Sequence, residues 1–113
     1  KYQFKNVRGL KRAKVKPEDI IKVEAAENYS VFYFANGRSI TLAKILKECE
    51  GIFEPYPFYR THRSCIINLH YCLEIQQKEV LLFNNLKASI SGGDSRIEKQ
   101  PFVSEKVRVK IFS

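Results

Sequence analysis

His62, Arg63 and Ser64 put an imidazole base, a permanent cation and a hydroxyl on three consecutive residues, the grouping in this chain that most invites a chemical reading. Nucleophilic catalysis would need the imidazole oriented by an acid and an oxyanion hole facing the same substrate. If 58–67 is extended, neighbouring side chains point to opposite faces, so His62 and Ser64 share one side and Arg63 takes the other. No third partner is evident, and an enzyme is not the expectation.

His62, Cys65, His70 and Cys72 could be collected into a metal site, but their spacing fits none of the common zinc patterns. Cys65 is also expected on the strand face opposite His62, so buried thiols are the reading, with no metal and no cofactor. Asn28 and Tyr29 stand at a strand junction, where a turn favours asparagine. An asparagine there can equally pair with adenine through two hydrogen bonds, and the local pattern leaves both readings open. For Tyr29 the alternative is core packing. Lys44 and Lys47, and the run Lys11, Arg12, Lys14 and Lys16, read as solvated faces or as phosphate contacts. Phe32, Tyr33 and Phe34 read as core, with a stacking platform for single-stranded bases as the competing use.

The elements that must position these residues show mainly a period of two. Tyr2 and Phe4 alternate with Gln3 and Lys5, Gly9 marks a turn, and Ala13 and Val15 alternate with cations up to Pro17. Ile21, Val23 and Ala25 alternate with Lys22 and Glu24, which predicts a half-buried strand. Residues 29–35 are aromatic and β-branched, and Asn36-Gly37 after them predicts a hairpin returning through 38–41. Leu42, Ile45, Leu46 and Cys49 then fall on one helical face, predicting a helix over 42–50 with Thr41 as N-cap and Gly51 as its stop. Extended segments follow at 58–67, 71–76, 79–84 and 86–91, with turns around 77–78 and 84–85 too short for parallel crossovers, so the sheets should be antiparallel. A loop at 91–95, a helical turn at 96–100 and a last strand around 107–111 complete the chain.

The fold class is therefore mostly β, with one short helix. The 113 residues suit a single domain over 1–113, and the absence of methionine, even at position 1, reads as a piece of a longer protein. A net charge of +8 implies a polyanionic partner, nucleic acid before an anionic membrane surface. Three cysteines without CxxC spacing read as reduced thiols in a cytoplasmic protein, and neither a membrane span nor a signal peptide is visible.

Two segments resemble one family. IIKVEAAENY at 20–29, followed by a hairpin and LAKILKE, is similar to the first half of LytTR domains. FYRTHRSCIIN at 58–68 resembles that family's aromatic, Arg, x, His-Arg-Ser signature, ending in an apolar run and Asn. The similarity covers roughly 14–100. It implies elongated antiparallel sheets whose loops and strand ends, rather than a recognition helix, enter the major groove of double-stranded DNA. It further implies a bacterial transcription regulator, with an upstream receiver or sensor domain of a two-component system and a dimer on tandem sites. Asn28, Tyr29, Lys44, Arg60, His62 and Arg63 become the DNA-binding candidates. The resemblance implies that Arg63, whose planar fork matches a phosphate or the N7 and O6 of a guanine, contacts base or phosphate, and that Arg60 and His62 hold the local sheet and backbone phosphates. The family usually places Ser-Arg after its last hairpin, whereas here Gly92 and Gly93 follow Ser91. Either Arg96 takes over that contact or the contact is missing. A single-stranded nucleic-acid binder and a protein-interaction β-domain are the competing functions.

Overall fold

Branched and aromatic side chains at alternate positions favour extended backbone, and nine strands form in the described part of the chain. This computed structural model describes Leu10, residues 14–50, 57–91, 96, 97 and 100, and the backbone of 108–110. The first sheet contains β1 (Ile20–Ala26), β2 (Tyr29–Phe34), β3 (Ser39–Leu42), β4 (Phe58–His62) and β5 (Cys65–Asn68), in the order β3-β2-β1-β5-β4. The second contains β6 (Cys72–Gln76), β7 (Glu79–Leu82), β8 (Lys87–Ser89) and β9 (Arg108–Lys110), in the order β8-β7-β6-β9. The helix α1 spans Leu46–Glu50. The molecule is elongated, 44 × 29 × 24 Å.

The first sheet lies between two hydrophobic clusters. Ile20, Val23, Phe32, Phe34 and Ile66 pack with Leu10 and with Leu46 and Cys49 of α1. Ile21, Cys65 and Ile67 instead face the second sheet, where Cys72, Ile75, Val80, Leu82, Ala88, Ile90 and Ile97 complete the other cluster. Strand β1 is thus buried on both faces from Ile20 to Val23, while Ala25 and Ala26 emerge into solvent. The simple alternation of 21, 23 and 25 missed this, because a register shift between Ile20 and Lys22 puts Ile21 and Val23 in different clusters and leaves Val23 on the side of Ile20.

Lys22 is buried with them, and its stem carries the ammonium out between the sheets. There it donates to the Lys87 carbonyl of β8 at 2.6 Å, meets Glu24 at 3.1 Å and lies 4.9 Å from the centre of the Tyr33 ring. The cation therefore ties the two sheets together with its charge compensated. Asn68, fully buried, joins the end of β5 to the start of β1 by donating to the Ile20 carbonyl at 2.9 Å while accepting from His70 N–H.

The turns follow their residues. Gly37 takes φ +90°, and its N–H donates to the Phe34 carbonyl, so Asn36-Gly37 closes the β2–β3 hairpin with glycine alone in the left-handed region. Asn84 and Asn85 both adopt positive φ, near 60°, between β7 and β8. Several expected boundaries move. The stretch 58–67 is two strands separated by a turn at Arg63-Ser64, and 14–16 is irregular ahead of a single helical turn at Pro17–Asp19. The strand expected over 86–91 is confined to Lys87–Ser89. The antiparallel expectation holds except at β9, which pairs parallel with β6.

Helix α1 is shorter than 42–50 because Leu42 remains in β3, opposite Ser30. Glu48, not Thr41, caps it, accepting the Ile45 N–H at 3.0 Å. Ile45, expected on the apolar face, is 46% exposed. The expected alternation at 2–5, the turn at Gly9, the stop at Gly51 and the Gly92-Gly93 loop lie outside the described residues. The turn at 96–100 is described at Arg96, Ile97 and Gln100, where Gln100 N–H donates to the Ile97 carbonyl.

All three cysteines are buried and unpaired as disulfides. Burial pushes the Cys65 thiol up to about 11 and the Cys72 thiol up to about 12, above the ordinary 9.0. An unfolded chain ionises these thiols first as pH rises, so their contribution is complete below pH 9 and is lost towards 11 and 12. We predict that the urea midpoint falls between pH 8 and 11, and falls less in Cys72→Ala. An equal alkaline fall in that variant contradicts the assignment to the thiol.

Candidate nucleic-acid interface

The antiparallel registers bring several chain reversals to one end of the first sheet. Strand β1 ends at Ala26, β2 begins at Tyr29, and Glu27-Asn28 form the turn between them, with Glu27 at φ 58°. Strand β4 ends at His62 and β5 begins at Cys65, leaving Arg63-Ser64 as the neighbouring turn. A backbone bond of 2.9 Å from Ala25 N–H to the Ser64 carbonyl joins the two. β3 ends at the same end of the sheet, and the buried Ser30 hydroxyl donates to the Lys44 carbonyl at 2.5 Å, holding the approach to α1 beside the start of β2. On the other side, Ser91 N–H donates to the Thr61 carbonyl at 2.9 Å.

Asn28, Tyr29 and Arg63 are all exposed there, Tyr29 by 50% rather than packed in the core. Arg60, His62 and Arg63 line a cleft of about 430 Å³ with Tyr59, Thr61, Ser91 and Arg96. The structure therefore groups four of the candidate residues around one cleft. It places Asn28 on the adjoining turn, Tyr29 at the start of β2, and Lys44, partly buried, beyond β2.

The Arg63 turn is organised by its neighbours. Ser64 N–H donates to His62 Nδ1 at 3.2 Å, and the Ser64 hydroxyl meets the same nitrogen at 2.8 Å. A tautomer with its proton on Nε2 satisfies both bonds. The His–Ser pair is thus a local turn closure, not two residues sharing a strand face. Arg60 folds its guanidinium under this turn. Nη2 donates to the Arg63 carbonyl at 2.7 Å, Nε to the His62 carbonyl at 3.4 Å, and Nη1 to Glu50 at 2.7 Å.

Two competing uses lose their geometry. His62 and Cys65 are cross-strand partners, not residues on opposite faces, yet no cluster of metal-binding side chains forms among the described residues. Phe32 and Phe34 are buried and Tyr33 lies beneath Lys22, so these three rings do not form a stacking surface. No described helix is long and apolar enough to cross a membrane.

Ser30, Glu50 and Ser91 escaped the sequence reading. Ser30 carried a usable signal, since it shares a strand face with Phe32 and Phe34, where a hydroxyl must find a partner. Glu50 and Ser91 carried none, because their roles depend on β4 passing beside α1 and beside the end of the last hairpin.

Two packed sheets with a short helix, and exposed arginine and asparagine on adjacent turns at one sheet end, define a small mostly-β domain with a cationic edge. The chain belongs to the LytTR family, whose model, the LytTr DNA-binding domain, matches residues 11–99. Among solved structures it is similar to one described as the LytTr DNA-binding domain of a methyl-accepting/DNA response regulator from Bacillus cereus. That likeness has 21% identity and a TM-score of 0.66, and covers 75% of this chain and 83% of the other. No curated protein sequence matches the chain.

Ser30→Ala should lower stability by about 1–2 kcal/mol, since it leaves the Lys44 carbonyl without its hydroxyl donor. Urea unfolding checks this. An unchanged midpoint would show that water replaces Ser30 without cost.

Proposed function

We propose that this domain binds duplex DNA sequence-specifically, with the turns at 27–28 and 63–64 and the segment around Arg96 entering the major groove. The observation that carries this reading is the grouping of these turns at one sheet end, joined through the bond from Ala25 to Ser64 and the shared cleft. Arg63 at a turn tip can present its fork to guanine, and Asn28 can present its amide to adenine. Lys44, His62 through Nε2–H and Arg96 supply phosphate contacts, with Arg96 standing in for the arginine that the family places after Ser91. Tyr29 adds an exposed ring beside Asn28. The domain acts as the cytoplasmic output module of a bacterial transcription regulator, downstream of a receiver or sensor domain, and pairs on tandem sites.

Selection of bound duplexes from a random pool tests the reading directly, with recovery of a consistent two-part motif as the expected result. On that motif, neutralising about six phosphates gives a slope of log K against log salt near −5. Arg63→Ala and Asn28→Ala should each cost about 1–3 kcal/mol and relax preference at one position. Recovery of no motif, or tighter binding to single strands than to duplexes, overturns the proposal.

A further inference from the structure

Arg60 is placed differently from the other cations at the sheet end. It leaves β4 two residues before the strand ends, and its guanidinium points back under the turn it precedes. Nε and Nη2 reach the carbonyls of His62 and Arg63, and Nη1 reaches Glu50 at the end of α1. Three nitrogens thus serve three protein acceptors, and a carboxylate 2.7 Å away compensates the charge. A cation neutralised at that distance contributes little to the long-range pull on a polyanion. Its geometric effect is larger, because a planar fork holds two successive carbonyls at fixed orientations, as a lysine ammonium cannot.

We propose that Arg60 is a positioning residue that sets sequence selectivity by fixing the Arg63 turn, with Glu50 as the anchor holding its guanidinium. This rests on the duplex-DNA reading above. Arg63 is exposed at the tip of a turn, and discrimination between base pairs requires its fork to arrive at a defined angle. The Arg60 bonds stop the two carbonyls flanking the Cα of Arg63 from rotating. Glu50 keeps the guanidinium in the plane that makes both bonds, so α1 takes part in reading without touching a base.

The test uses the chain as it stands, the selected duplex and a scrambled duplex of equal length. Affinity for both is measured over a salt series for wild type, Arg60→Lys, Arg60→Ala and Glu50→Gln. Backbone 15N relaxation of residues 62–65 is recorded without DNA. Arg60→Lys should weaken binding to the selected duplex roughly tenfold, the scale of one lost base contact, with binding to the scrambled duplex and the salt slope unchanged. Glu50→Gln should also lose selectivity although it makes the protein more cationic. In both variants the amides of Arg63 and Ser64 should gain mobility.

A direct phosphate role gives the opposite pattern. Arg60→Lys would then keep both affinities, Arg60→Ala would lower both together and reduce the salt slope by about one, and Glu50→Gln would tighten both. That pattern overturns the proposal, as does unchanged mobility of the turn in Arg60→Lys. A wild-type chain that does not distinguish the two duplexes instead overturns the DNA reading, while the relaxation data still decide whether Arg60 holds the turn.

Discussion

Burial of β1 on both faces is the constraint to which the rest of the molecule answers. A strand covered on one side only can shift or tilt, but Ile20 and Val23 are held in one cluster while Ile21 is held in the other. Interiors pack tightly enough that moving one side chain disturbs its neighbours, so β1 serves as a fixed axis. β2 and β5 pair with it directly, and β3 and β4 are placed through them. Lys22 extends the same order to the second sheet, because its buried ammonium finds partners only where β8 presents the Lys87 carbonyl beside Glu24 and Tyr33.

The two ends of this sheet are treated differently. At one end, chain reversals are tied to each other, with Ala35 N–H donating to Asp19, Asn84 to Ala35, and Asn68 to Ile20. Those bonds use short polar side chains and backbone groups, and they close that end of the structure. At the other end, the turns at 27–28 and 63–64 are tied at their bases, by the bond from Ala25 to Ser64, while their tips stay exposed. Rigid bases with exposed tips would suit the loop-based recognition proposed above, since a contact to a base edge depends on angle as well as reach.

Much of this was legible where one residue type decides one local geometry. Asn36-Gly37 announced a hairpin and Asn84-Asn85 a turn, because few other residues accept positive φ. Phe32 and Phe34 were read as core and are buried, while Tyr33, read with them, is only half-buried. Legibility ended where tertiary pairing overrode local pattern. Leu42 has the spacing of a helix face, yet cross-strand pairing with Ser30 keeps it in β3, and the helix starts four residues late. The His62-Arg63-Ser64 run has strand-like neighbours on both sides, and nothing in its composition marks the reversal. The ladder between β4 and β5, with Arg60 clamping beneath, makes it a turn. The candidate residues were thus recognised by type and by family resemblance, while their mutual arrangement came from the sheet.

The short α1 bears on the proposal that turns carry recognition. Its five described residues span roughly 7 Å, too short to lie along a groove and present several side chains to successive base pairs. Its buried side, Leu46 and Cys49, is committed to the core. What α1 offers is the carboxylate of Glu50 at its end, directed at Arg60 rather than outward. A lone negative charge would oppose a polyanion bound at this edge, but paired with a guanidinium it is neutralised. Attraction and discrimination can then reside on different residues. In the proposed mode of binding, lysines and arginines scattered over a chain of net charge +8 would supply the pull, and a few turn residues held by bonded neighbours would supply the choice.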